Sequence, residues 1–150
     1  MRALVQRVSH ASVSVDGQEI ASIGRGLLVF VGVGQGDGSQ ARSWLARKLL
    51  GLRVFEHQGR MHHSVTDIEG ELLVVSQFTL YGDVTRGQRP SFTAAMEPGA
   101  AAVELDALVA ELRAAGGRVA TGRFGATMHV SLVNDGPVTL WLESPGGENP

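Results

Sequence analysis

The sequence predicts a single α+β domain: a strongly curled, largely antiparallel β-sheet, barrel-like in outline, carrying two main α-helices. Three observations lead there. Short apolar or alternating segments bounded by turn residues outnumber helical patterns, only two stretches show a 3.6-residue apolar repeat, and the twenty glycines suit tight turns and bends in a curled sheet.

From Ala11 to Val15 the chain alternates Ala, Ser, Val, Ser, Val, and Asp16-Gly17 offers a two-residue turn into a strand over 18–23. Leu27 to Val33 is almost unbroken apolar between Gly24, Gly26 and Gly34, which predicts a central strand covered on both faces. After the glycine-rich stretch 34–38, Ser39 is placed as the N-cap of a helix whose Ala41, Leu45, Leu49 and Leu52 share a face. Residues 53–56 and 70–78 read as strands, with room for a short hairpin around His57, Gly59, His62 and His63. The segment 81–90, with two glycines, a proline and two arginines, fits an exposed functional loop. A second helix follows Pro98-Gly99, with Leu105, Leu108, Val109 and Leu112 on one face and Gly116-Gly117 as its stop. Strands over 118–121, 128–133 and 138–142 complete a domain of residues 1–144, and 145–150 reads as a flexible tail. No repeat or linker interrupts it.

With 43% hydrophobic residues in 150, a core forms without metal or disulfide staples. The absence of cysteine excludes a disulfide framework, a thiolate zinc site and a cysteine nucleophile. The N-terminal stretch lacks a signal peptide's apolar core, and no apolar run approaches the roughly 20 residues that span a bilayer, so a cytoplasmic protein without membrane contact is expected. A formal net charge of -2 gives no global basic excess, so composition alone points to neither DNA nor RNA. Contact with a polyanion falls to a local patch at Arg86, Arg89 and Arg123, where solvated loop arginines are the plain alternative.

Familiar chemistry is hard to find. His57, His62 and His63 lie close in sequence but without a matching carboxylate pattern such as H-E-x-x-H, and read as solvated hairpin residues; no metal and no cofactor is expected. His10 and His129 carry no catalytic pattern. No serine stands in a G-x-S-x-G frame, and the glycines of 32–38 lack both the Gly-Lys-Ser/Thr of a phosphate loop and the βαβ context of a dinucleotide site.

Two segments change this. Ser76-Gln77-Phe78-Thr79-Leu80 resembles the first signature of the D-aminoacyl-tRNA deacylases, and Asn134-Asp135-Gly136-Pro137-Val138-Thr139 resembles the second, N-x-G-P-x-T. Segments 2–8, 26–33, 89–92 and 121–126 are also similar to that family, so the resemblance runs from Met1 to about Ser144. It implies a homodimeric ester hydrolase acting on the acceptor end of D-aminoacyl-tRNA in translation proofreading. Main chain at Ser76, Gln77, Phe78 and Thr79 would line the pocket, and a cis Gly136-Pro137 unit would arrive from the other subunit. Its carbonyls would accept hydrogen bonds from the substrate ammonium while filling the space of an L side chain. Achiral glycine would escape this exclusion. Backbone amides near Gln77 and Phe78 would hold the oxyanion, and Thr79 is either nucleophile or pocket residue beside an RNA-assisted mechanism using the substrate's 2′-hydroxyl. The resemblance further implies supporting roles for Arg7, Phe124, Met128, Asn134 and Thr139, although Arg7 equally suits a surface position and Phe124 and Met128 equally suit the core. Arg86 and Arg89 are the expected tRNA contacts, in a loop less basic than the family's pattern. Three alternatives stay open: a same-fold editor of a misloaded L-aminoacyl-tRNA, a non-catalytic tRNA-binding module, and an unrelated threonine esterase.

Overall fold

The computed structural model describes residues 1–146, so the expected tail lies largely outside the described residues. In chain order the elements are β1 (Arg2–Val15), β2 (Gln18–Ile23), β3 (Gly26–Gly32), α1 (Ser39–Gly51), β4 (Phe55–His57), β5 (Arg60–His63), β6 (Glu71–Ser76), a 3₁₀ turn (Phe78–Tyr81), α2 (Pro98–Ala114), β7 (Arg118–Thr121) and β8 (His129–Glu143). The α+β class with two main helices stands, and the sheet is nearly closed.

One long strand organises that sheet. Along one edge β1 pairs antiparallel first with β3, over Arg2–Val8, and then with β2, over Ala11–Val15. Its other edge pairs antiparallel with β8 from Arg2 to Ser14. A strand that serves two neighbours in succession must bend between them, and the sheet curls there. The β1–β2 connection is the expected two-residue turn, with Asp16 at φ 51° and Gly17 at φ 75°, the left-handed pair such a hairpin requires.

Beyond β3 the sheet becomes parallel, β3 with β6 and β6 with β7. It is therefore mixed rather than uniformly antiparallel. The cause is the placement of the helices: α1 lies in the connection from β3 to β6 and α2 in that from β6 to β7, and a crossover through a helix returns the chain in the same direction.

Both faces of the parallel part are covered, which explains the unbroken apolar runs. Leu27, Val29, Val31, Leu72 and Val74 pack toward Leu45, Leu49, Leu105, Leu108 and Leu112 of the helices. Their neighbours Leu28, Leu73 and Val75 pack inside the curl with Val8, Val13, Met128 and Val130. Gly26 lets β3 and β6 approach so closely that a Cβ there would lie 1.8 Å from the Glu71 carbonyl oxygen. The helices are tied to each other by Arg42, which bonds Glu104 at 2.5 Å and lies 3.6 Å from Glu111.

Several local expectations are corrected. Gly38, not Ser39, occupies the N-cap of α1 and makes no side-chain cap bond. The strand expected over 53–56 is the short β4, two residues later, and it forms the anticipated hairpin with β5. The strand expected over 70–78 stops at Ser76, because the chain closes into the 3₁₀ turn. The two strands expected over 128–133 and 138–142 are one strand, β8, interrupted by a large bulge. Gln6 pairs with Thr139 and Val8 with Asn134, so residues 135–138 all stand opposite Arg7.

Candidate active site

The 3₁₀ turn is set by its two ends. At its start, the Gln77 amide donates to the Val31 carbonyl at 2.7 Å, extending the β3–β6 pairing by one residue. This amide is committed to the sheet, which corrects the expectation that it serves an oxyanion. The next two amides, of Phe78 and Thr79, open the turn and have no hydrogen-bond partner among the described residues, as the first N–H groups of any helical turn lack one within it. At the far end, the Tyr81 hydroxyl donates to Asp37 Oδ2 at 3.1 Å, and the Arg2 guanidinium stacks 4.4 Å from the ring while its Nη1 donates to the Leu80 carbonyl. Burial, then the Asp37 carboxylate, pushes the Tyr81 hydroxyl well above the ordinary phenol range, so it stays a donor. Gly34 makes room for this: a Cβ there would lie 2.6 Å from the Tyr81 ring.

The Gln77 side-chain amide donates to the Thr79 hydroxyl. A primary amide has no basicity to activate that oxygen. Thr79 is exposed and Phe78 is 57% exposed, its ring edge-on to Phe92 with centroids 5.1 Å apart.

Beside the turn opens a cleft of about 580 Å³ lined in part by Ser76, Gln77, Phe78, Phe92, Phe124 and Met128. Its size and mixed aromatic and polar wall fall within the range of small-molecule sites. Of the residues singled out in the sequence, the structure brings Ser76, Gln77, Phe78, Phe124 and Met128 to this wall; Phe92 and the segment from Ala95 to Pro98 leading into α2 were missed. Phe92 ends the family-like segment 89–92 in a polar loop, and a lone aromatic there is the signal available for a site role.

Arg7, Asn134, Gly136, Pro137 and Thr139 lie elsewhere and do not line the cleft of their own chain. Arg7, only 4% exposed, donates from Nε to the Asp135 carbonyl at 3.1 Å and pairs with its carboxylate at 3.0 Å. Its Nη2 donates to the Gly136 carbonyl at 3.1 Å, and its Nη1 to the Val54 carbonyl at 2.6 Å. It is no surface arginine. Asn134 closes the base of the bulge, donating to the carbonyls of Arg7 and Val138, and accepts from the Thr139 hydroxyl. The N-x-G-P-x-T spacing thus acquires a physical content: Asn and Thr staple the ends of a bulge whose Asp135, Gly136 and Pro137 stand exposed, with the Gly136-Pro137 bond cis. Arg86 and Arg89 sit exposed on the 83–91 loop, closed by the Asp83–Ser91 bridge, and form no ion pair among the described residues. His57, His62 and His63 are neighbours on the β4–β5 hairpin, with ring centroids 4.7 to 6.2 Å apart.

Known proteins match this chain throughout. The family model described as D-Tyr-tRNA(Tyr) deacylase matches residues 4–143. The chain belongs to that family. A D-aminoacyl-tRNA deacylase of Heliobacterium modesticaldum is 55% identical over 99% of this chain and its own full length, and one of Thermotoga petrophila is 57% identical over 96% of this chain and 97% of its own. Among solved structures, a protein titled c-Myc DNA Unwinding Element Binding Protein superposes with a TM-score of 0.92 at 43% identity, covering 97% of this chain and all of that one. A probable eukaryotic D-amino acid tRNA deacylase, 18% identical over 94% of this chain and 97% of that one, shares the fold with a TM-score of 0.80. Membership makes the chain an enzyme, a hydrolase of the deacylase class.

Within this deacylase fold the Arg7 tie is open to a direct stability measurement. Replacing Arg7 by Met strands the Asp135, Gly136 and Val54 carbonyls and is expected to cost about 2–4 kcal/mol in denaturant unfolding. Arg7→Lys recovers only part of it, since an ammonium has no planar fork to reach three carbonyls.

Proposed function

We propose that this chain cleaves the ester joining a D-amino acid, or glycine, to the terminal ribose of tRNA, acting as a homodimer in which Gly136 and Pro137 of one subunit close the cleft of the other. The observation that carries this reading is a separation: the rigidly tied 135–137 bulge is exposed, while the cleft of the same chain contains none of it. Among the described residues β8, which bears the bulge, pairs only with β1, so its other edge is open there, and Val133, Leu140 and Trp141 beside it are 49%, 36% and 49% exposed. An open edge with apolar side chains is the kind of surface a self-complementary contact covers.

In the assembled pocket the Asp135–Pro137 main chain acts as a wall. Its carbonyls accept from the substrate ammonium and occupy the volume where an L side chain would lie; a D side chain points away and glycine has none. Arg7 holds the wall because two of its carbonyls are already hydrogen-bonded from behind. Main chain fixed in this way cannot swing aside, so discrimination exceeds what a pocket sensing one methyl group attains.

The cleft's aromatic residues Phe78, Phe92 and Phe124 and the thioether of Met128 suit the terminal adenosine. The unpartnered amides of Phe78 and Thr79 are the donors available to a developing oxyanion, each worth about 3 kcal/mol when well aimed. No base adjoins Thr79 among the described residues, so the water is activated by the vicinal 2′-hydroxyl of the substrate, and Thr79, outside the cleft wall itself, shapes the pocket through its hydrogen bond with Gln77. Arg86 and Arg89 offer charge to the acceptor stem.

Two measurements check this. Matched D-tyrosyl-tRNA and L-tyrosyl-tRNA are hydrolysed at rates differing by at least about 1,000-fold, more than one methylene's worth of steric selection; equal rates refute the chiral wall and favour an L-editing enzyme. Thr79→Ala keeps most of the kcat on the D-substrate, and complete loss in a folded protein makes Thr79 the nucleophile.

A further inference from the structure

A second cavity, of about 280 Å³, lies between α2 and the strands β6 and β7 and shares Ser76, Leu105 and Phe124 with the cleft. The two form one groove, with Phe124, 43% exposed, at the boundary. The floor of the second cavity is apolar, from Val74, Leu105 and Val109. Its rim carries two opposite charges on one face of α2, Asp106 and Arg113, seven residues or two turns apart. Arg113 is oriented by one bond, Nη2 to the Val119 carbonyl at 2.9 Å, and its other N–H groups have no partner among the described residues. Asp106 is exposed and makes no hydrogen bond or ion pair among them.

We propose that this cavity binds the nucleotide preceding the terminal adenosine, with Asp106 accepting from its base and Arg113 meeting its phosphate. The proposal rests on the function above, which places the terminal adenosine in the adjoining cleft. The chemistry identifies the base as well. An aspartate accepts from the exocyclic amino group of cytosine and opposes the O4 carbonyl of uracil, and the penultimate nucleotide of a tRNA 3′ end is cytidine. The apolar floor takes the base face, the exposed ring of Phe124 offers a stacking surface between the two nucleotides, and a free guanidinium edge suits a phosphodiester. Neither residue is engaged in packing the fold, since both are solvent-exposed on a helix whose buried face is Leu105, Leu108, Val109 and Leu112.

The test compares three small esters with the intact protein: D-tyrosyl-adenosine, the dinucleotide D-tyrosyl-ester of cytidylyl-adenosine, and the same with uridine for cytidine. The wild type is expected to show kcat/KM for the cytidine dinucleotide at least about tenfold above adenosine alone, and about fivefold above the uridine dinucleotide, the size of one hydrogen bond to a base. Arg113→Met lowers the ratio of dinucleotide to adenosine ester at least about fivefold, and Asp106→Asn removes the preference for cytidine over uridine. A wild type without a dinucleotide preference overturns the proposal. So do variants that slow all three esters alike, since the cavity would then serve the aminoacyl side chain. If no D-tyrosyl ester, including D-tyrosyl-tRNA, is cleaved by the wild type, the parent function falls with it.

Discussion

The buried guanidinium of Arg7 is the interaction on which the exposed bulge of β8, and the function proposed for it, depend. It stands in β1, opposite the point where β8 leaves the ladder, and its three nitrogens engage the carbonyls of Asp135, Gly136 and Val54 together with the Asp135 carboxylate. A bulge with so much unpaired main chain would ordinarily be mobile and costly. Here the donors come from a planar, permanently charged fork, and Asn134 and Thr139 close its base. The result is a short stretch of backbone that is exposed and rigid at once. In the proposed function, exposure lets it reach another molecule and rigidity lets it refuse one.

The same division runs through the cleft. In the proposed function the donors to the reacting ester are main-chain amides at the end of β6, and what holds that main chain is the sheet on one side and the Tyr81–Asp37–Arg2 group on the other. On that reading the substrate ester is already activated, and the protein's part is position and two amide donors rather than a strong base. This accounts for the absence of recognisable catalytic constellations in the sequence: amide groups carry no residue signature. It also gives the proposed dimer a chemical reason, because the bulge proposed to decide handedness lies outside the cleft of its own chain.

Much of this architecture was legible in the residues. The unbroken run at Leu27 to Val33 announced a strand buried on both faces, and Leu105, Leu108, Val109 and Leu112 announced the buried side of α2. Two features escaped for physical reasons. Gly136-Pro137 reads locally as a turn between two strands, since nothing nearby reports that Arg7, more than a hundred residues earlier, supplies the hydrogen bonds that keep β8 continuous. The parallel pairing of β3, β6 and β7 depends on where two helices cross, which is a property of connections and not of strand composition. At the site, the Gln77 amide was expected to face substrate and instead bonds Val31, because the sheet register runs one residue past the strand end. Phe92, inside a family-like segment, and the Ala95–Pro98 segment were given no place at the site, as a loop's contribution to a wall is set by folding back over distance.

Subunit mixing tests the central claim, a site assembled across the dimer, most directly. Gly136→Leu adds a side chain where a Cβ meets nothing within 4 Å in its own chain, so the variant folds but plugs the partner's pocket; Ala126→Trp fills the cleft of its own chain. Each dimer alone is expected to be inactive on D-tyrosyl-tRNA. Exchanged in equal amounts, they form heterodimers with one intact site, and activity returns to about a quarter of the wild type, since half the dimers are mixed and half of their sites are whole. A mixture no more active than its components would contradict the account.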